Sequence, residues 1–266
     1  MIIIHPKKST FKAIWDFIYS ILLGMSLFMI PFTLAFDVDL ILDSNRVLEF
    51  VIDIVCALNI VLTFFTAYQE DISWKTKLKD IAKAYVKFYF IFDVTATIPT
   101  MVTFEKNSLY ILKVFRIIHF RQFVRIFNEN LNRIFNRIGL NKNVIGIIFF
   151  LVTISFNLTF IIHILACIWV YIGRTTTGSW IDAGPPDPNT DDNIIPEPFT
   201  MSNKTNIFIV SVYWVITTLT TVGYGDYKGY TNNEYVFQMA VEFIGIGFFS
   251  FLMGSINNIL VQESKL

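Results

Sequence analysis

Thr221-Val222-Gly223-Tyr224-Gly225 places glycine at every second position, and Asp226 follows it. Carbonyls of consecutive residues point to one side only where the backbone alternates between left- and right-handed conformations. Gly223 and Gly225 can adopt a positive φ without a steric penalty. A ladder of such carbonyls, with the Thr221 hydroxyl as its innermost oxygen, can replace the hydration shell of a cation leaving water. A second chemical pattern precedes it: Lys113, Arg116, His119, Gln122 and Arg125 recur at every third residue. That spacing lines them along one slowly winding stripe of a helix, with mostly apolar residues between. Glu49 and Asp53, four apart on one helix face, and Asp93 are the acids available to such cations. His5, His119 and His163 have no ligand-like spacing, Cys56 and Cys167 lie in separate apolar runs, and no catalytic constellation is evident. These residues point away from an enzyme and from a cofactor or a protein-held metal centre.

The elements that must position these groups follow from composition. Of 266 residues, 54% are hydrophobic and 16% charged, against roughly 25% charged in a soluble globular chain. This excludes a water-soluble enzyme and predicts a bilayer protein. Twenty-one basic and twenty-one acidic residues cancel, so no global field calls for a nucleic-acid partner. A crossing helix needs about 20 mostly apolar residues. Trp15 to Phe36, Val47 to Tyr68, Val144 to Gly173 and Tyr235 to Val261 meet that requirement. Tyr85 to Val102, with Asp93 and Pro99, and Ser108 to Asn128, with its cations, are weaker spans. Asn206 to Val222 is too short to cross and still leave room for the glycine loop, so it reads as re-entrant. The predicted fold class is an all-α membrane protein with six transmembrane helices plus a re-entrant loop.

Lysine and arginine set the orientation. Lys7, Lys8 and Lys12, then Lys75, Lys77, Lys79, Lys83 and Lys87, then Arg133, Arg137 and Lys142 fall on one side; Asp37, Asp39, Asp43, Glu105, Asp182, Asp187, Asp191, Asp192 and Glu197 fall on the other. Both termini are therefore expected in the cytoplasm, with the protein in the plasma membrane. The outward stretch 174–205 is polar and Pro-rich, and Asn203-Lys204-Thr205 within it is a candidate glycosylation site.

Thr221 to Gly225 matches the selectivity filter of potassium channels, a recognised motif. With Ile4-His5-Pro6 and Ser9 before Trp15-Asp16, Phe64-Phe65-Thr66-Ala67, Phe92-Asp93 with Ile98-Pro99, and His163-Ile164-Leu165-Ala166-Cys167-Ile168-Trp169, the chain resembles a family. It is that of the voltage-gated-like potassium channels of the cyclic-nucleotide-binding-domain superfamily, which includes ether-à-go-go, hyperpolarisation-activated and cyclic-nucleotide-gated groups and plant inward rectifiers. The resemblance covers the membrane core, from His5 to about Leu260.

The resemblance implies a potassium-selective channel subunit with weak voltage-dependent gating, K⁺ being its permeant ion, and a four-helix voltage-sensor bundle joined to a two-helix pore. Its parts would be a cytoplasmic N-terminal segment (1–14), the voltage-sensor domain (15–128), a cytoplasmic linker helix (129–143), the pore domain (144–261) and a tail (262–266). Within the pore domain lie the outer helix, the turret (174–205), the pore helix (206–220), the filter Thr221, Val222, Gly223, Tyr224 and Gly225, and the inner helix (235–261). One loop cannot encircle an ion, so three further identical or similar subunits are implied, in a lipid bilayer. A cyclic-nucleotide partner is implied only if a further domain follows Leu266. Lys113, Arg116, His119, Gln122 and Arg125 would form the voltage sensor, with Glu49, Asp53 and Asp93 as counter-charges. His119 and Gln122 stand where the family's stripe usually carries arginine, and Asn59 where it usually carries an acid. Three permanent charges yield at most about 7 kcal/mol per 100 mV. Gly245 and Gly247 could form the gating hinge of the inner helix or only ease packing, and the acids could pair statically with the stripe. The alternative function is a poorly selective, ligand-gated cation channel with a largely static fourth helix.

Overall fold

Ser9 starts the first helix earlier than hydropathy suggests. Its hydroxyl oxygen accepts a hydrogen bond from the Lys12 amide at 3.2 Å, an N-cap arrangement, and helix α1 runs Thr10–Phe36. The computed structural model describes residues 3–6, 9–37, 45–70, 73–102, 108–120, 123–129, 142–184, 198–200 and 203–263. After α1 come α2 (Asn45–Phe64), strands β1 (Tyr68–Glu70) and β2 (Ser73–Lys75), α3 (Leu78–Phe88) and α4 (Phe90–Val102). They are followed by a 3₁₀ helix (Ser108–His119), α5 (123–129), α6 (Lys142–Thr175), the single turn α7 (Trp180–Ala183), α8 (Lys204–Leu219) and α9 (Asn232–Glu263). Gln122, most of the linker 129–143, the turret's proline-rich centre and the last three residues lie outside the described residues.

Among the described residues, four helical stretches are long and apolar enough to cross a membrane: Thr10–Phe36, Val47–Phe64, Gly146–Thr175 and Asn232–Phe251. They correspond to the four strong spans of the sequence, in a chain that is mostly helical. The two weaker spans are built differently. Tyr85 to Val102 is divided between α3 and α4 at Tyr89, and Ser108 to Asn128 is a 3₁₀ helix followed by α5. A two-stranded antiparallel hairpin, with Gln69 opposite Trp74, departs from the all-helical expectation.

The chain forms two compact units, Met1–Ile30 with Val38–Asn157, and Pro31–Asp37 with Leu158–Leu266. The sequence suggests a boundary at the linker 129–143, whereas the units divide inside α6. Its first half packs on α5: the Phe156 ring centroid is 5.2 Å from that of Phe123 and 5.7 Å from that of Phe127, and Thr153 donates to Asn128 at 3.1 Å.

In the first unit α2 packs on α3 and α4, and α4 on the 3₁₀ helix. Helix α2 is inside-out. Glu49, Ile52, Asp53, Cys56 and Asn59 share its buried face, while Val47, Phe50, Val51, Leu58 and Val61 are exposed. Polar groups turned inward and apolar ones outward suit lipid surroundings, where an unpartnered charge is costly. The N-terminal segment joins this unit through backbone pairing: the Ile4 amide donates to Phe65 O at 2.8 Å and the Ala67 amide to Ile4 O at 2.9 Å.

In the second unit α8 packs on α9 around stacked indoles. Trp169 lies 3.9 Å from Trp214 at 5° and 5.7 Å from Trp180 at 8°, ring centroid to centroid. Glu234, 0% exposed, ties the start of α9 to this stack. Its carboxylate accepts from the amides of Trp180 (3.0 Å), Tyr230 (2.8 Å) and Thr231 (3.0 Å) and from the Thr231 hydroxyl (3.0 Å). Glu234→Gln keeps the shape but turns an NH₂ toward these donors and is expected to cost about 3 kcal/mol. A lowered thermal unfolding midpoint in detergent is the check; an unchanged midpoint would contradict this role.

Candidate functional site

Helix α8 begins on Asn203, whose side-chain oxygen accepts from the Asn206 amide at 3.1 Å, and it ends at the glycine loop. The threonines before the loop satisfy their hydroxyls within the helix: Thr217 and Thr218 donate to Trp214 O at 3.0 and 2.8 Å, and Thr220 to Ile216 O at 2.8 Å. The Thr217 carbonyl then accepts from the amides of both Val222 (2.9 Å) and Gly223 (3.1 Å), folding the loop back onto the helix's C-terminal turn. That turn is the negative end of the helix dipole, which favours a cation nearby.

Thr221, Gly223 and Gly225 have φ of 61°, 52° and 76°, while Val222 and Tyr224 between them do not take positive φ. The handedness therefore alternates through all five positions. Thr221 was not anticipated in a left-handed conformation, which for a residue with a Cβ costs about 1–2 kcal/mol. Beyond the loop, the Tyr213 hydroxyl donates to Asp226 at 2.8 Å. Residues 221–226 are exposed, with Tyr224 at 72%. A cavity of about 330 Å³ behind them is bounded by Trp214, Thr218, Gln238 and Glu242 among others. Gly245 of α9 admits the close approach of α8, since a Cβ there would stand 2.8 Å from Leu219 O. A Cβ on Gly247 would meet nothing within 4 Å.

The cation stripe lies in the other unit, on a 3₁₀ helix. With three residues per turn, residues three apart eclipse one another. Tyr110, Lys113, Arg116 and His119 therefore stand in a straight row, about 6 Å apart along the axis, instead of winding slowly as on an α-helix. Opposite them, Glu49 accepts from the Tyr110 hydroxyl at 2.7 Å and from Lys113 at 3.0 Å. Asp53 holds both Lys113 (3.1 Å) and Arg116 (2.5 Å). Arg116 also donates to Ser26 Oγ at 2.9 Å and Ala96 O at 3.3 Å. Asp93 pairs with His119 Nε2 and accepts from the Tyr85 hydroxyl. Lys113 and Arg116 are each 3% exposed, so these charges are desolvated. Arg125 is exposed on α5, apart from this row.

Three acids thus face two permanent cations and one histidine. The row is charge-balanced when His119 carries a proton and one charge negative when it does not. A cavity of about 10 Å³ bounded by Tyr19, Asn59, Asp93, Arg116 and His119 has room for about one water. Asn59 itself accepts from the Trp15 indole at 3.1 Å. Among the partners that sequence reasoning missed, Tyr110 was signalled by its place three residues before Lys113 in the same register. Ser26, Tyr85 and Ala96 carried no such signal.

Residues 12–266 match the family described as ion transport protein. The chain is 29% identical to the potassium channel AKT2 of Oryza sativa subsp. japonica over 99% of its own length and 30% of that protein's. It is 28% identical to the potassium channel KAT1 of the same species, over 99% of this chain and 35% of the relative. To the potassium voltage-gated channel protein eag of Drosophila melanogaster it is 26% identical, over 96% of this chain and 22% of the relative. The chain thus spans about a third of these relatives' length or less.

Proposed function

Since the chain belongs to the ion transport protein family and carries four helices long and apolar enough to cross a membrane, we propose that it is a potassium-selective channel subunit and not an enzyme. Four copies would surround one ion path. The alternating backbone of Thr221, Gly223 and Gly225 at the negative end of α8 carries this reading. Potassium channels named among the relatives support the choice of ion. One chain supplies a single exposed strand of carbonyls, which cannot enclose an ion, so three further subunits complete the site. Mass measurement in mild detergent tests the assembly: a conducting species of four chains is expected, and a conducting dimer or monomer would overturn it.

In the same reading residues 15–128 form a voltage-sensor domain and 144–261 a pore domain, both termini face the cytoplasm, and the protein acts in the plasma membrane. Moving one charge through the field yields about 2.3 kcal/mol per 100 mV, so Lys113, Arg116 and Arg125 support weak voltage dependence. Gly247, with open space around it, would provide the bend of α9, while Gly245 seats α9 on α8. The Asn203 cap uses the side-chain oxygen and leaves the amide nitrogen for a glycan.

His119 makes gating sensitive to pH. Among the described residues, the ionisable groups that face it are Asp93, Arg116, Tyr19 and Cys56 around the small cavity and Tyr89 beside its ring, with Tyr85 bonded to the other oxygen of Asp93, and next to these the imidazole alone has an ordinary titration range near neutrality. Acidification is expected to shift the midpoint or steepness of the current–voltage curve. His119→Arg should mimic acid pH, and His119→Gln should remove the pH effect. Equal shifts in the wild type and the Gln variant would assign His119 to packing.

A further inference from the structure

Helix α3 has two unlike faces that the ion path and the charge row do not use. Ile81 and Tyr85 are buried, with the Tyr85 ring 5.0 Å from that of Phe64, and they dock the helix onto its unit. Lys79, Lys83, Val86 and Lys87, at positions i, i+4, i+7 and i+8, lie on the opposite, exposed face. Lys77, exposed as well, precedes the helix as its N-cap residue. Lys75, Lys77, Lys79, Lys83 and Lys87 fall within thirteen residues that hold one acid, Asp80. The order along the axis also matters. Lys77, Lys79 and Lys83 precede exposed Val86, and exposed Tyr89 and Ile91 follow toward the apolar helix α4, with Lys87 between Val86 and Tyr89. Lysine stems can lie along apolar surface while their ammonium groups reach outward. A helix arranged in this way sits at the edge of the hydrocarbon with its cations at the depth of the lipid phosphates.

We propose that Lys77, Lys79 and Lys83 form a docking surface for the phosphate headgroups of anionic phospholipids in the leaflet adjoining α3. Net negative headgroups are selected because the exposed face is cationic, and lipid is selected over free phosphate because the apolar residues beside the lysines need acyl chains against them. Each lysine near an anionic membrane surface contributes about a fivefold gain in affinity, so neutralising three weakens retention on the order of a hundredfold.

The test uses the full chain in nanodiscs of phosphatidylcholine containing phosphatidylglycerol, with retained lipid counted by native mass spectrometry after exchange into detergent. The wild type should retain phosphatidylglycerol over phosphatidylcholine. The combined Lys77→Gln, Lys79→Gln, Lys83→Gln variant should lose that preference, and the same positions changed to Arg should keep it. Soluble glycerol phosphate should not displace the lipid. Equal retention by the wild type and the Gln variant overturns the proposal, as does displacement by glycerol phosphate, which would indicate a phosphate site without lipid. Unchanged helical content and elution of the Gln variant distinguish lost docking from misfolding. Loss of potassium selectivity elsewhere in the chain would leave this outcome untouched.

Discussion

Gly223→Ala is expected to abolish potassium current while leaving assembly intact. Gly223 has φ 52°, and an added Cβ would meet no atom within 4 Å, so the penalty comes from backbone conformation and not from a clash. A left-handed residue bearing a Cβ costs about 1–2 kcal/mol, and four copies around one path raise this to about 4–8 kcal/mol per filter. Relaxation of that strain turns carbonyls away from the axis, and the dehydrated ion loses its ligands. Recording from proteoliposomes decides, with Gly146→Ala as the control, since Gly146 has equal space and no positive φ. Full potassium current in the Gly223→Ala channel would remove the basis for assigning this loop to ion coordination.

Asp53→Ala is expected to be the most damaging change in the first unit. Asp53 is buried and serves two cations at once, Lys113 at 3.1 Å and Arg116 at 2.5 Å. Removing one partner of a buried pair typically costs about 3–5 kcal/mol because the other charge stays desolvated and unpaired. Here Lys113 would keep Glu49, while Arg116 would be left with the neutral acceptors Ser26 Oγ and Ala96 O. The expected results are poor recovery of folded protein and a thermal midpoint well below the wild type. Asp53→Glu should restore part of the loss. A near-neutral Asp53→Ala would mean that water reaches the row and screens these charges.

The loop was legible in the sequence because its geometry demands glycine at alternate positions, and few other backbones do. Of the stripe, Lys113, Arg116 and His119 were legible as a row in an apolar helix facing Glu49, Asp53 and Asp93, whereas Arg125 stands apart from it. Its helix type was not recognised. A strict period of three fits a 3₁₀ turn better than an α-turn, and Tyr110 in the same register pointed the same way. The bonds of Thr231 to Glu234 were not anticipated, and nothing local could show that Glu234 also holds the Trp180 amide 54 residues away. The pairing of Ile4 with Phe65 and Ala67 is made by backbone groups, which every residue carries, so it leaves no side-chain signature. The division inside α6 was hidden for a related reason. Hydropathy reads one continuous apolar span, whereas Phe156 and Trp169 on it belong to different clusters of rings.

The central claim is that the Thr221 to Gly225 backbone, in four copies, selects potassium over sodium. The most direct measurement is the reversal potential of the reconstituted wild-type channel with K⁺ on one side of the bilayer and Na⁺ on the other. A potential displaced strongly in the direction set by K⁺ leaving its own side is the predicted result. A reversal potential near zero, meaning equal permeability to the two ions, would contradict it.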